Sequence, residues 1–565
     1  MSTSAKHLRE LHRTIVRRVS ATLLIVLSLG ATTALLPIAR RGGLGVAVAH
    51  AAGRVPWLFE TSDGCIACHN GLTTPSGEDV SIGNAWRATM MANSARDPYW
   101  QASVRREMLE HPAANEEIED ECAVCHMPMA RYQARAEGRK GTVFAHLPIG
   151  ASTAPVDKLA ADGVSCTTCH QIGSQGLGRP ESFGGGFVID ETIPPGSRPI
   201  YGPFEIDSGR ARIMQSSAQY RPMQGAHIQS SELCATCHTL YTDARDPSGR
   251  VIARLPEQVP YLEWRRSRYA QTQSCQSCHM PLVTDSVAIS GVWGRPREHL
   301  ARHEFLGGNF FVLRMLNRFR GELGTEALPH EMEAGAQRTL RHLQTSTAEL
   351  TIDRVRRVNG QLLADVDVRN LAGHKLPTAY PSRRVWVHFT VRDDRGSILF
   401  ESGRLDKRGA IEGNDGDADA RRYEPHYREI TDSSQVQIYE SVMVDEKGAV
   451  TTSLLSGVRF MKDNRVLPEG FEKSGAEADI AVRGAASDDP DFVGGGDRIR
   501  YAIDVSRAAG SLRIEAELAY QPIAFRWAHN LSGHDAREIS RFVGYYEQMA
   551  NGSSTILAHD AKTLR

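Results

Sequence analysis

Aromatic residues are scarce in this chain of 565 residues, at 7%. That is thin for a hydrophobic core in a chain long enough for two or more domains, so something besides aromatic side chains must help to fill the interior. Net charge is nearly absent as well, with 66 Lys+Arg against 67 Asp+Glu. This balance gives no reason to expect nucleic acid or an anionic membrane surface as the partner. Cysteine does not occur after Cys278, and an apolar run of membrane-spanning length is missing from the start of the chain.

What the N-terminus does have is an export pattern. Lys6, Arg9, Arg13, Arg17 and Arg18 precede the apolar stretch Ala21 to Leu29, and Ala49-His50-Ala51 fits an A-x-A cleavage site. Residues 1–51 therefore read as a signal peptide. Gly30 and Pro37 interrupt the run, which favours cleavage over an uncleaved N-terminus associated with the membrane. Arg17-Arg18 resembles a twin-arginine signal, although attachment of a covalent cofactor to an unfolded chain favours general secretion. Either route places the mature chain in the periplasm or outside the cell.

Ten cysteines in an exported protein would ordinarily suggest five disulfides. Their spacing points elsewhere. They form five C-x-x-C pairs, each followed at once by histidine: Cys65/Cys68 with His69, Cys122/Cys125 with His126, Cys166/Cys169 with His170, Cys234/Cys237 with His238, and Cys275/Cys278 with His279. Two thiols three positions apart can add to the two vinyl groups on one edge of a haem, and the adjacent histidine then becomes the proximal iron ligand. A thioredoxin-like pair or a zinc site also uses C-x-x-C but does not need that histidine. With 21 histidines in the chain, five chance placements have a probability on the order of one in ten million. Five haem c groups also answer the shortage of aromatics, because they are flat, mostly apolar bodies that serve as core.

Electron carriage and catalysis differ at the sixth iron position. Two strong ligands give a closed haem that passes electrons, whereas an open position admits substrate. The candidates are His227, His303 and His374, followed by His146 and His426, with His111, His299, His529 and His534 further down. Met90 or Met91 is a rival at the first haem. His388 alternates within a strand pattern and is left out.

From about Ala348 the pattern changes to period two, as in Leu362 to Val368 and Trp386 to Val391, with Asp393-Asp394-Arg395-Gly396 as a hairpin turn. The expected fold is α+β. A loop-rich, mainly helical pentahaem domain covers 52–345, a β-sandwich-like domain 346–525, and a C-terminal helical tail 526–565. The acidic loop Gly413 to Asp419 supplies oxygen ligands for calcium but lacks EF-hand spacing, so a solvated turn is the stronger reading.

The runs Trp86 to Ala92 and Asp97-Pro98, the Met-Pro after the second and fifth motifs, and His303 to Gly307 resemble the multihaem cytochromes c related to the tetrahaem cytochrome of ammonia oxidisers. Gly373-His374-Lys375-Leu376-Pro377-Thr378 and Lys462-Asp463-Asn464-Arg465 look like the β-rich extension of larger members. The resemblance implies mostly bis-histidine haems and electron exchange with redox partners: a quinol-linked dehydrogenase, other cytochromes or a terminal reductase. The chain lacks the C-x-x-C-Lys of pentahaem nitrite reductases and the eight motifs of hydroxylamine oxidoreductases. The alternative to a carrier is an oxidoreductase of a small nitrogen or sulfur compound at one open haem. A third reading is a filament-forming subunit.

Overall fold

Each haem-attachment motif falls on or beside a short helical turn, which the spacing explains. In a helix, positions i, i+3 and i+4 share one face, so both thiols and the imidazole of C-x-x-C-H project the same way. The computed structural model describes residues 56–565, and the signal-peptide, twin-arginine and membrane-association readings lie outside them. Cys122 to His126 closes the helix Asn115–His126, and Cys275–His279 and Cys166–Cys169 are themselves single turns. Between the motifs run short helices and strand pairs such as Arg198–Gly202 with Tyr220–Gln224 and Leu240–Arg245 with Val251–Gln258.

The longest helix of the motif-bearing stretch before Cys122 is Pro98–Glu110. Asp97 caps it, its carboxylate accepting from the Tyr99 and Trp100 amides, and Pro98 supplies the preset φ of a first helical residue. Burial pushes the Asp97 carboxyl up to about 6 despite those two bonds. Two later helices, Phe310–Arg318 and Pro329–Ser346, pack on each other and carry the core towards the sheets.

The period-two segments form strands. One sheet orders Glu429–Ile430, Gly496–Asp504, Gln361–Asn370 and Ala348–Val358. A second orders Ile398–Ser402, Arg384–Arg392, Leu512–Gln521 and Thr555–Leu564, with Ile438–Tyr439 also pairing to Arg384–Arg392. Their inner faces meet at Phe389 and Tyr501, whose rings stack 3.8 Å apart. A third, small sheet joins Val450–Thr451, Ser441–Val444 and Arg459–Asp463. The molecule is thus a mixture of helices and several sheets.

Two expectations need correction. The tail 526–565 is helical only over Phe525–Leu531 and Arg537–Met549, and its last stretch, Thr555–Leu564, is a strand paired antiparallel to Leu512–Gln521. That strand satisfies the backbone groups that Leu512–Gln521 would otherwise present at a sheet edge. The acidic loop does not gather its carboxylates around a cation. Asp417 is buried against Arg384 at 2.8 Å, Asp415 pairs with Arg422 at 2.5 Å, and Asp419 pairs with Arg421 at 2.8 Å. Each carboxylate already has an arginine, which removes the case for calcium.

Among the described residues no helix is long and apolar enough to cross a membrane. Val55–Arg565 packs as one unit; its main apolar core runs from Ala88 and Tyr99 through Phe310 to Leu316 and on to Val385, Phe389 and Tyr546, and a second gathers Leu58, Phe59, Trp100, Ile118 and Tyr132.

Candidate haem-binding cavity

The helical turns deliver all five motifs to one place. A continuous cavity of about 1730 Å³ is lined by every one of the ten cysteines and by His69, His126, His170, His238 and His279. All ten cysteines are free thiols, so the five-disulfide arrangement is not formed. Thiols of different motifs stand side by side: Cys65 with Cys166, Cys125 with Cys237, and Cys234 with Cys275. Burial pushes the Cys122 thiol up and that of Cys169 up to about 12. The neighbouring thiol instead lowers Cys65, Cys237 and Cys275, the last to about 7, so the wall holds thiols of both tendencies.

The imidazoles carry the sharper evidence. A ligating histidine ordinarily donates its other ring N–H to a carbonyl, which fixes the tautomer and leaves the ligating nitrogen its lone pair. Nδ1 of His69 bonds the Ile289 carbonyl at 2.6 Å, that of His126 the Ser94 carbonyl at 3.0 Å, and that of His170 the Tyr201 carbonyl at 2.5 Å. His279 donates in the same way to the Leu306 carbonyl. In each case Nε2 is left free. Burial lowers His126 and His238 to about 4 and also lowers His170 and His279. These rings are therefore neutral at pH 7, the state a metal ligand requires.

Two of the expected sixth ligands share this pattern. His303 donates Nδ1–H to the Ala301 carbonyl at 3.1 Å, and His374 donates to the Lys375 carbonyl at 3.0 Å. The His303 ring faces His170 with centroids 6.2 Å apart and planes 19° from parallel. His374 faces His279 at 6.2 Å and 14°. Two imidazoles bound to one metal through bonds of about 2 Å have centroids about 6 Å apart, so both pairs fit a shared iron.

The other candidates are directed elsewhere. His227 gives Nε2–H to the Ile172 carbonyl at 2.9 Å and packs on Tyr201. His146 is held by Asp157 at 2.5 Å and Thr142 at 3.2 Å. His426 lies within the sheets. Its Nδ1 accepts from Gln437 and Asn464, whose amide oxygens are taken by the Tyr427 and Glu440 amides, so the proton sits on Nε2 and goes to Asp489 at 3.0 Å. Both ring nitrogens of His146 and of His426 are thus engaged by protein groups, whereas His227 commits only Nε2. His111 bonds Ser456, His534 pairs with Glu110, and His529 stacks on Phe525. His299, Met90 and Met91 do line the cavity.

One residue was not anticipated. His342 stands 6.0 Å from His279 with the rings tilted by 57°, and burial lowers it to about 4. Gly335, Thr339, His342, Leu343 and Ser346 all line the cavity. They form a helical stripe of small and polar residues, the one signal that could have marked it. Against the second motif, Trp100 lies flat on His126, centroids 4.3 Å apart and planes within 1°.

The thiol-bearing wall and the imidazoles held at Nδ1 by carbonyls at four of the motifs suit covalently bound haem. No protein-family model and no curated protein matches the chain. Among solved structures the chain is similar to a penta-heme cytochrome c552 from Thermochromatium tepidum, with a TM-score of 0.51 and 16% sequence identity over 90% of this chain and 100% of that one. The chain therefore has the fold of a multihaem cytochrome c.

Proposed function

We propose that the chain is an exported multihaem c-type cytochrome that moves electrons through five covalently held haems between redox partners. The observation that carries this reading is the convergence of five C-x-x-C-H motifs on one cavity, where two of their histidines already face a second imidazole at metal-bridging distance. Haem iron, when bound, exchanges one electron between its ferric and ferrous states. The protein's part is to attach each ring through two cysteines and to present an imidazole, whose tautomer a carbonyl fixes at His69, His126, His170 and His279. It also keeps water away from the metal. His170 with His303, and His279 with His374, would each hold one haem iron between them.

The periplasm or cell exterior is the compartment this reading requires, since thioether attachment follows export. The partners would be a quinol-linked dehydrogenase, other cytochromes or a terminal reductase. Relation to the tetrahaem cytochrome of ammonia oxidisers, with an added β-rich extension, completes the proposal.

The test is a haem count on the purified holoprotein together with low-temperature electron paramagnetic resonance. Five haems and ferric signals that are all low-spin and unmoved by cyanide are expected. A high-spin signal that shifts on cyanide addition would make the chain an oxidoreductase of a small nitrogen or sulfur compound instead.

A further inference from the structure

Two sequence segments remain unexplained by haem attachment: the turn carrying His374 and the run Lys462 to Arg465. The fold brings them together. Lys375, next to His374, is fully buried, and its ammonium donates to Asp463 at 2.7 Å. Arg465 grips the same carboxylate with Nε at 2.9 Å and Nη2 at 2.8 Å, while its Nη1 lies 2.9 Å from Glu263. Glu263, also fully buried, returns to the turn by accepting from the Lys375 amide at 3.1 Å and the Thr378 hydroxyl at 2.6 Å. The result is a closed ring of two cations and two carboxylates.

The ring joins separate parts of the chain. Glu263 belongs to the helix Pro260–Arg265, between the fourth and fifth motifs, and Asp463 ends the strand Arg459–Asp463. Around it the turn is fastened at every side. Asn370 donates to the His374 and Val466 carbonyls at 2.8 and 2.9 Å, Tyr269 donates to the Leu371 carbonyl at 3.0 Å, and Leu376 exchanges backbone bonds with Val466. Gly373 lets the turn close on the helix, since a Cβ there would stand 3.2 Å from Trp264.

Four buried charges are a poor means of stabilisation, because desolvation offsets most of their attraction and an apolar filling would often serve better. What such a ring does provide is a single geometry, since each charge is satisfied in one arrangement only. Burial alone would raise the Asp463 carboxyl, yet Arg465 and Lys375 hold it well below the usual carboxylate range. Asp463 is therefore ionised at physiological pH.

We propose that Lys375, Asp463, Arg465 and Glu263 are the positioning residues for His374, holding the 370–378 turn so that its imidazole stands opposite His279 across the fifth haem site. This rests on the reading of His279 and His374 as one iron's ligand pair. It assigns the sheet-bearing half a role in ligation, through a device that touches no iron itself.

The test uses full-length holoprotein and three variants. His374→Ala should keep five haems and convert about one-fifth of the low-spin ferric intensity to high-spin. Asp463→Asn and Lys375→Met should also keep five haems but broaden or convert that same signal and shift one reduction potential of the five. Lys375→Arg should restore the wild-type spectrum. If a single variant fails to yield holoprotein, Lys375→Met with Asp463→Leu removes one cation and one anion together, leaves Arg465 paired with Glu263, and should show the same spectral change. A lowered melting temperature with wild-type spectrum and potentials in these variants, while His374→Ala loses its signal, would overturn the positioning role and leave the ligand pair standing. An unchanged spectrum in His374→Ala would overturn the pair and the proposal with it.

Discussion

At the scale of single residues, the ring that an imidazole faces separates candidate ligand from bystander. Replacing His303 with alanine should turn the third haem high-spin, read by low-temperature paramagnetic resonance, whereas His227→Ala should leave every ferric signal in place. His227 and His303 look alike in sequence, each in a polar loop near an attachment motif. Only the fold shows that His303 faces the ring of His170 while His227 packs edge-on against Tyr201. His426 offers a different check. Burial lowers it to about 4, with Asp489 pulling the other way. An unfolded histidine near 6.5 binds its proton first, so stability is fully present above about pH 6.5 and falls as the pH drops towards 4. His426→Gln should flatten that part of the stability-pH curve, by at most about 3 kcal/mol at its acid end. Urea unfolding at several pH values measures it.

Elements were legible to the extent that one period governed them. Leu362 to Val368 alternates cleanly and is the strand Gln361–Asn370, and Asp393 to Gly396 is the turn between Arg384–Arg392 and Ile398–Ser402. The terminal strand Thr555–Leu564 was hidden because only Leu557 of its side chains is buried, so alternation there is faint and pairing with Leu512–Gln521 decides it. The acidic loop was ambiguous for another reason: Arg421 and Arg422 follow it directly, but the buried partner of Asp417, Arg384, lies 33 residues earlier and nothing local announces it. Asp417→Ala should strand the buried Arg384 guanidinium and cost roughly 3–5 kcal/mol. Calcium or a chelator should leave the melting temperature of the wild type unchanged, as thermal denaturation with and without each will show.

For the whole molecule, the five motifs could be read from spacing alone, because attachment chemistry is local. Their meeting in one cavity is set by contacts between residues far apart in sequence, such as Cys68 with Gly291 and His170 with Tyr201. The scarcity of aromatics resolves at this scale too. Phe389, Phe400 and Tyr501 meet between the two sheets, and the aromatic pairs of the motif-bearing part, such as Phe59 with Tyr132, stand beside a cavity that still needs filling. If haem supplies that part of the core, each one should contribute to stability as well as to conduction. Cys275→Ser with Cys278→Ser should reduce the covalent count from five haems to four, read as the intact mass of the holoprotein. It should also lower the melting temperature, since an apolar wall loses the body packed against it and is left facing a void. The same loss should remove the low-spin signal assigned to the His279–His374 pair and no other. A variant that kept full thermal stability with four haems would mean that the cavity walls close on themselves, and that the fifth group conducts without holding the fold together.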